Sequence, residues 1–311
     1  MSEARVFLCV TVDCECDKGP AWRTRRPLSF DGVHTGIAER LQPLFRATGA
    51  KPTYLLSPEL LRDGPCVERL ASLDGCELGA HLHGELAEPG AFVPDVTNAV
   101  QREYPPPIER AKLVSLTDAF RSAFGRAPTS FRAGRFGLGA HTLGFLEELG
   151  YAVESSVTPH VDWSDVSAGL SFLDAPTQPY HPDPQEPGRL GTSRLLEVPV
   201  TVLPSVFARV PVLGRRVEAR WLRPTRNDGA ELVAIARDAI ADARRADPSR
   251  PVVLNAMFHN VEIVAGTSPY ASTEAGARRI LDRLRVLLEH ARDEGITGIG
   301  LSDVPDVLSR P

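Results

Sequence analysis

Four stretches of this chain concentrate side chains able to hold a cation or move a proton. The first, TVDCECD (11–17), spaces Asp13, Glu15 and Asp17 two residues apart, which puts them on one face of a strand. Three carboxylates on one face repel one another unless a cation lies among them. The second, ELGAHLHGE (77–85), sets His81 and His83 on a common face by the same period. Neutral imidazole is a common nitrogen donor to divalent metals. One or two carboxylates with two imidazoles suit zinc, iron, cobalt or manganese, with positions left for water and substrate. Glu85, four residues after His81, is a rival to His83 as third ligand if the chain turns helical beyond the strand. The third stretch, SFRAGRFG (130–137), places Arg132 and Arg135 among glycines. A guanidinium there can fix a carboxylate or an anionic substrate through its forked donors. The fourth, MFHNVEIV (257–264), closes an apolar run on His259 and continues with Asn260 and Glu262. Such a histidine can act as a general acid, and its plain alternative is a satisfied core residue. Surface loops, solvated strand edges and packing histidines are the plain alternatives for the other three.

The elements that must position these residues follow from hydrophobic period. Strand-like runs are expected at Val6–Val12, Pro52–Leu56, Glu77–His83, Ser130–Arg132, Ala152–Ser155, Leu195–Val202, Val252–Phe258 and Gly298–Leu301. Between them, apolar residues at three-to-four spacing predict helices over Thr35–Thr48, Pro58–Leu73, Ile108–Phe124, Thr142–Leu149, Gly229–Ala246 and Ser272–Glu294. Gly49, Gly125 and Gly150 are read as helix stops. Alternation of this kind is the mark of an α/β fold with a parallel sheet, either open and doubly wound or closed into a barrel. The polar clusters fall at strand ends. No G-x-G-x-x-G follows the first strand and no G-x-x-x-x-G-K-S/T occurs, so dinucleotide and P-loop readings lose their support. Stretches 164–190 and 203–228 are irregular and rich in Pro, Gly and Arg, and read as excursions from a single domain over 6–302.

The composition fits such a domain. The chain has 311 residues, 42% hydrophobic and 24% charged, enough to bury a large core. Its 35 basic and 40 acidic residues give a net charge of -5, which offers no overall positive field to a nucleic acid. No apolar run is long enough to span a bilayer. The first residues carry no basic segment followed by an apolar stretch and cleavage site, and five cysteines are an odd number without framework spacing; both lead us to expect a cytoplasmic protein with reduced thiols. Cys14 and Cys16 form a C-x-C, but no second pair completes a thiolate site.

Taken in order, the clusters resemble the motifs of the polysaccharide deacetylases, the NodB-homology group also known as carbohydrate esterase family four. TVDCECD resembles the first motif in a D-x-E form, ELGAHLHGE the histidine motif and FRAGRFG the arginine motif, while EVPV (197–200) and MFHN are similar to the last two. The H-L-H, F-R-A-G-R and Ser268–Pro269–Tyr270 elements fit a divergent subgroup better than the standard pattern. The resemblance implies a distorted (β/α) barrel of about seven strands with one divalent metal, zinc first and Co2+, Mn2+, Fe2+ or Ni2+ as alternatives. It implies Asp13 as catalytic base, Arg132 as the residue orienting it and His259 as catalytic acid. The second acidic position of the motif falls on Cys14, so the metal contact is assigned to Glu15, with His81 and His83. Arg135, Trp163 (beside Asp162), Glu197, Asn260 and Glu262 are the expected substrate-side residues, with Glu197 and Glu262 also candidates to hold His259 charged. The implied reaction is removal of an acetyl group from an N-acetylated sugar or glycan intermediate. A metal-dependent hydrolase of a cyclic amide or imide and a non-catalytic carbohydrate-binding protein are the rivals. The basic run from Arg209 to Arg226, with Arg215, Arg216, Arg220, Arg223 and Trp221, reads either as a contact for phosphate or an anionic membrane surface or as a solvated helix face.

Overall fold

The computed structural model describes residues 4–90, 100–205 and 219–309. Eight parallel strands form the main sheet: β1 (Val6–Cys14), β2 (Pro52–Leu56), β3 (Glu77–Leu82), β4 (Ser130–Ala133), β5 (Val153–Glu154), β6 (Leu196–Glu197), β9 (Val252–His259) and β10 (Thr297–Ile299). A separate antiparallel pair joins β7 (Val202–Leu203) to β8 (Arg220–Trp221). One edge of β1 pairs with β9 from Val6↔Val252 to Asp13↔His259. Its other edge is shared, Phe7–Cys9 facing β10 and Val10–Cys14 facing β2. The order then runs β2-β3-β4-β5-β6.

Alternation sorts β1 into two faces. Leu8, Val10, Val12 and Cys14 pack outward in the larger apolar cluster with the surrounding helices. Phe7 and Cys9 point inward, into a smaller cluster with Leu55, Val153, Leu196, Val198, Val253 and Ile299. Leu301, Val304 and Val307, at the turn into α7 (Val304–Ser309), plug that end. Burial on both faces explains why β1 reads as a nearly continuous apolar run. Above the apolar floor the inner face turns polar. Thr11, Arg132, Ser155 and Asn255 are fully buried and bonded to one another.

The sheet closes imperfectly, and this is the distortion of the barrel. Instead of a β6–β9 ladder, the Thr201 N–H donates to the Asn255 carbonyl at 2.9 Å and Thr201 Oγ1 accepts from the Asn255 N–H at 2.8 Å. Asn255 Nδ2 donates to Val198 O at 3.1 Å and to Ser155 Oγ at 2.9 Å. The architecture is a distorted (β/α) barrel, as the resemblance of the motifs implied; the hydrophobic pattern alone had left an open sheet equally open.

The outer layer holds α1 (Gln42–Thr48), α2 (Gly64–Ala71), α3 (Pro106–Phe124), α4 (Thr142–Leu149), α5 (Gly229–Ala246) and α6 (Glu274–Asp293). On α6 the expected stripe, Ile280, Leu284, Leu287 and Leu288, is buried, each such side chain contributing about 1.5–3 kcal/mol. Asp228 and Glu231 form a capping box on α5. Two expected helices are interrupted. Thr35–Thr48 is a π-helix (Gly32–Leu41) running into α1. Pro58–Leu73 is a short 3-10 turn (Leu60–Arg62), a break at Asp63 and then α2, because the extended Asp63 backbone caps the new helix. The run Leu195–Val202 is likewise not one strand but β6 and β7, joined by a link whose backbone is bonded irregularly to Glu154, Val157 and Asn255. Stretch 164–190 is irregular as expected and tied by isolated bridges such as Tyr180↔Glu197 and Pro182↔Leu190. Among the described residues no helix is long and apolar enough to cross a membrane.

Candidate active site

Parallel register brings the singled-out residues to one rim. Asp13 lies level with His259 on the neighbouring strand, and His81 level with Arg132. The inward face of each strand then aims these side chains at a common point.

Glu15 stands at the centre. Its Oε1 is 2.9 Å from His83 Nε2, 3.5 Å from His81 Nε2 and 3.7 Å from His259 Nε2. His81 Nδ1 lies 3.0 Å from the Arg132 carbonyl. A carbonyl only accepts, so Nδ1 carries the proton and Nε2 presents its lone pair to the centre. That Nε2 is buried with no hydrogen-bond partner among the described residues. Donor atoms of Glu15, His81 and His83 lie within 4.8 Å of one another. An orphaned buried imidazole nitrogen beside a carboxylate and a second imidazole is a donor set that fits a divalent cation. Glu85, the rival ligand, sits behind His83 instead: its Oε1 is 3.3 Å from His83 Nδ1 and accepts from Arg135 Nη2 at 2.6 Å. Burial lowers the pKa of His83, but the charges of Glu15 and Glu85 outweigh it and raise the group to about 9. Burial raises Glu15, and His83, Lys18 and His81 together bring it well below the ordinary carboxylate value.

Asp13 is the second centre. Arg132, wholly buried, donates from Nη1 to Asp13 Oδ1 at 2.7 Å. Its other donors reach Ser155 O at 2.6 Å and Thr11 Oγ1 and Ser155 Oγ at 2.9 Å. Burial pushes Asp13 up, while Arg132, His81 and His259 bring it below the usual range, so it is ionised at neutral pH. Asp13 Oδ2 remains, 3.9 Å from His259 Nε2. His259 Nδ1 is 2.8 Å from Glu262 Oε1, to which Arg223 Nη2 also donates. Burial raises Glu262, but Arg223 and His259 hold it below its ordinary value.

The remaining expected residues separate by location. Asn260 is buried and brackets the Glu15 backbone, Oδ1 accepting from Glu15 N–H at 2.9 Å and Nδ2 donating to Glu15 O at 3.0 Å. It is therefore placed to position Glu15. Arg135 is half-buried beside Glu85, in left-handed backbone at φ 56°. Trp163 packs against Phe136 (5.3 Å) and Trp221 (6.2 Å) and donates to Thr158 Oγ1 at 2.8 Å. Glu197 alternates with Leu196 and Val198, which point into the barrel, and so lies on the opposite face of the sheet from the cluster. There it accepts from Val157 N–H at 3.0 Å, and burial with the nearby Glu154 carboxylate raises its pKa well above the ordinary value.

The structure places two arginines of the basic run. Arg223 is 6% exposed and turned inward onto Glu262, whereas Arg220 stays partly exposed and pairs with Asp238 at 2.8 Å. Arg209, Arg215 and Arg216 lie outside the described residues. Three contributors had no sequence signal strong enough to find them. Lys18 is buried with Nζ 2.8 Å from Glu15 Oε2, and Trp22 sits edge-on to both His259 (5.1 Å) and Tyr270 (5.5 Å). The third is Gly134, one of the glycines around Arg132 and Arg135. A Cβ there would meet Leu82 O at 2.7 Å and the His83 ring at 3.1 Å, so the glycine seats His83.

The fold is NodB-like: solved structures of polysaccharide deacetylases share it across nearly the whole chain. No protein-family model and no curated protein matches the sequence. A Mycobacterium smegmatis protein assigned as a polysaccharide deacetylase is 16% identical at a TM-score of 0.58, covering 99% of this chain and 91% of that one. Puue allantoinase is also 16% identical at 0.58, covering 98% and 90%. A GH57-type branching enzyme from Pyrococcus horikoshii is 11% identical at 0.57, covering 98% and 71%. At these identities the likeness is one of fold, and enzymes of different chemistry share it.

Proposed function

We propose that this chain, as one domain over residues 6–302, is a divalent-metal-dependent hydrolase of a carbon–nitrogen bond that removes an acetyl group from an N-acetylated sugar or glycan intermediate. The observation that carries the reading is the juxtaposition of Arg132-held Asp13 and Glu262-held His259, 3.9 Å apart, beside the Glu15–His81–His83 cluster. A zinc ion held by those three residues would supply a Lewis acid that polarises a carbonyl and lowers the pKa of water toward about 7.

The chain's own groups account for the protons. Asp13 Oδ1 is taken by Arg132, so Oδ2 is the oxygen free to accept a proton from the attacking water. Arg132 keeps the carboxylate ionised and in one orientation. His259 presents Nε2 to the same space, while Glu262 at Nδ1 stabilises the imidazolium. Nε2–H then protonates the departing nitrogen as the carbon–nitrogen bond breaks, giving carboxylate and amine. Arg223 neutralises part of the Glu262 charge and fixes that carboxylate beside Nδ1. Arg135 and Trp163 remain the residues proposed for substrate contact, with Trp22 and Tyr270 as a wall beside His259.

One observation favours a second reading, hydrolysis of a small cyclic amide or imide. Side-chain exposure is 3% for Asp13, 2% for Glu15 and 14% for His259, so the reacting groups are shielded from solvent, which favours a compact substrate. Metal-loaded protein should be assayed for acetate release from N-acetylated sugars and sugar nucleotides, and for ring opening of cyclic ureides and imides. Activity in either panel that is abolished in Asp13→Asn and strongly reduced in His259→Ala supports the mechanism and selects the substrate class. Activity unchanged in Asp13→Asn removes the proposed base.

A further inference from the structure

A second group of metal-ligating side chains shares no residue with the candidate active site. His34 lies in the π-helix Gly32–Leu41, and Asp63 and Cys66 lie at the start of α2. One donor atom from each lies within 4.8 Å of the others, and His34 Nε2 is 3.9 Å from Cys66 Sγ. Zinc bonds of roughly 2.3 Å to sulfur and 2.0–2.1 Å to nitrogen, at a tetrahedral angle, place the two donors about 3.6 Å apart. The pair therefore needs to close by only a few tenths of an ångström.

The third donor is held in place by the fold. Asp63 Oδ1 accepts from the Cys66 N–H at 2.9 Å as the cap of α2, which fixes the carboxylate next to the sulfur and leaves lone pairs for a cation. A helix cap needs neither cysteine nor histidine, so the cap alone does not account for the mixed donor set. Glu59 is a further buried carboxylate whose charge reaches the Cys66 sulfur. It is 2% exposed, its Oε1 accepts from Cys16 N–H at 2.9 Å, and its Oε2 is buried with no hydrogen-bond partner among the described residues. Burial first, and then the carboxylates of Asp63, Glu59 and Asp17, push the Cys66 thiol well above its ordinary value, so the sulfur gives up its proton only to a cation, which the same carboxylates favour. His34 and Asp63 are half-buried and give an ion a way in, while Cys66 is buried.

We propose that His34 Nε2, Asp63 and Cys66 Sγ bind a second divalent ion of the zinc class, with one position left for water, pinning the π-helix to the start of α2. The ion replaces the thiol proton, which leaves to solvent, and no electron transfer is involved.

Cobalt(II) tests this without reference to catalysis, since a thiolate ligand gives cobalt an intense near-ultraviolet charge-transfer band and a set of oxygen and nitrogen donors does not. The titration is made on full-length protein carrying Glu15→Gln and His83→Ala, which disables the first cluster. The expected result is one bound equivalent with the thiolate band, the band absent in an added Cys66→Ser and the affinity at least about tenfold weaker in an added Asp63→Asn, which keeps the cap. Cobalt bound without the band, no cobalt bound, or a band that survives Cys66→Ser overturns the proposal. Should Cys66→Ser fail to fold by circular dichroism, His34→Gln and Asp63→Asn decide it: unchanged affinity in both overturns the site.

Discussion

Replacing Arg132 by methionine isolates the interaction on which the proposed base depends. Methionine fills much of the same volume but withdraws every donor from Asp13, which is 2% exposed. Removing one partner of a buried ion pair costs about 3–5 kcal/mol, because the remaining charge is left without compensation. Burial alone drives a carboxyl pKa upward, so in the variant Asp13 rises above its ordinary 3.8 instead of lying below it. The sign of the pH dependence follows. In the native protein the lowered pKa gives stability that is present above 3.8 and lost as pH falls through the folded-state value. In the variant the raised pKa penalises folding increasingly as pH climbs past 3.8, so the deficit is largest near neutrality and shrinks in acid. Urea unfolding of the native chain, Arg132→Met, Asp13→Asn and the double variant at several pH values measures this. Adding Asp13→Asn to Arg132→Met should recover part of the loss, giving a coupling of about 1–3 kcal/mol. A loss below about 1 kcal/mol at neutral pH, or a cycle additive to within about 0.5 kcal/mol, refutes the reasoning.

Three further outcomes are expected. In metal-free protein His83 has its pKa raised from 6.5 to about 9, so its stabilisation, ~3 kcal/mol, is complete below pH 6.5 and lost as pH rises through 9. Because a cation must displace that proton, apparent zinc affinity in chelator competition should climb about tenfold per pH unit up to that point; a flat profile contradicts the assignment. Asn260→Ala leaves the buried Glu15 N–H and C=O without their partners, a cost of about 1–3 kcal/mol each, and should weaken zinc binding more than Asn260→Asp, which keeps the acceptor. Gly134→Ala forces a Cβ to 3.1 Å from the His83 ring and should lower zinc affinity by about tenfold, read by the same competition.

What was legible in the sequence was what local rules determine. A period of two and a parallel arrangement put Asp13, Glu15, His81, His83, Arg132 and His259 at the ends of inward faces, and the structure brings all six to one rim. Glu197 shows the limit of that rule, since a shift of one residue along β6 moves a side chain to the other face. Lys18, Arg223 and Trp22 were not legible because each arrives by a loop whose path depends on tertiary packing. Arg223 in particular, read by composition as part of an exposed basic run, is drawn inside by Glu262, a residue 39 positions away. The broken helix at Asp63 followed from a capping aspartate before Gly64-Pro65, a signal overridden in the sequence reading by the apolar spacing around it.

The account rests on one ion held by Glu15, His81 and His83 doing the work beside Asp13 and His259. The direct measurement is hydrolysis rate against equivalents of zinc restored to chelator-stripped protein carrying Cys66→Ser, so that only the first cluster loads. The rate should start near zero, rise with the first equivalent and level there, and in His81→Ala it should stay at the stripped value. Stripped protein that hydrolyses at the full rate, or recovery that is indifferent to His81→Ala, would contradict it.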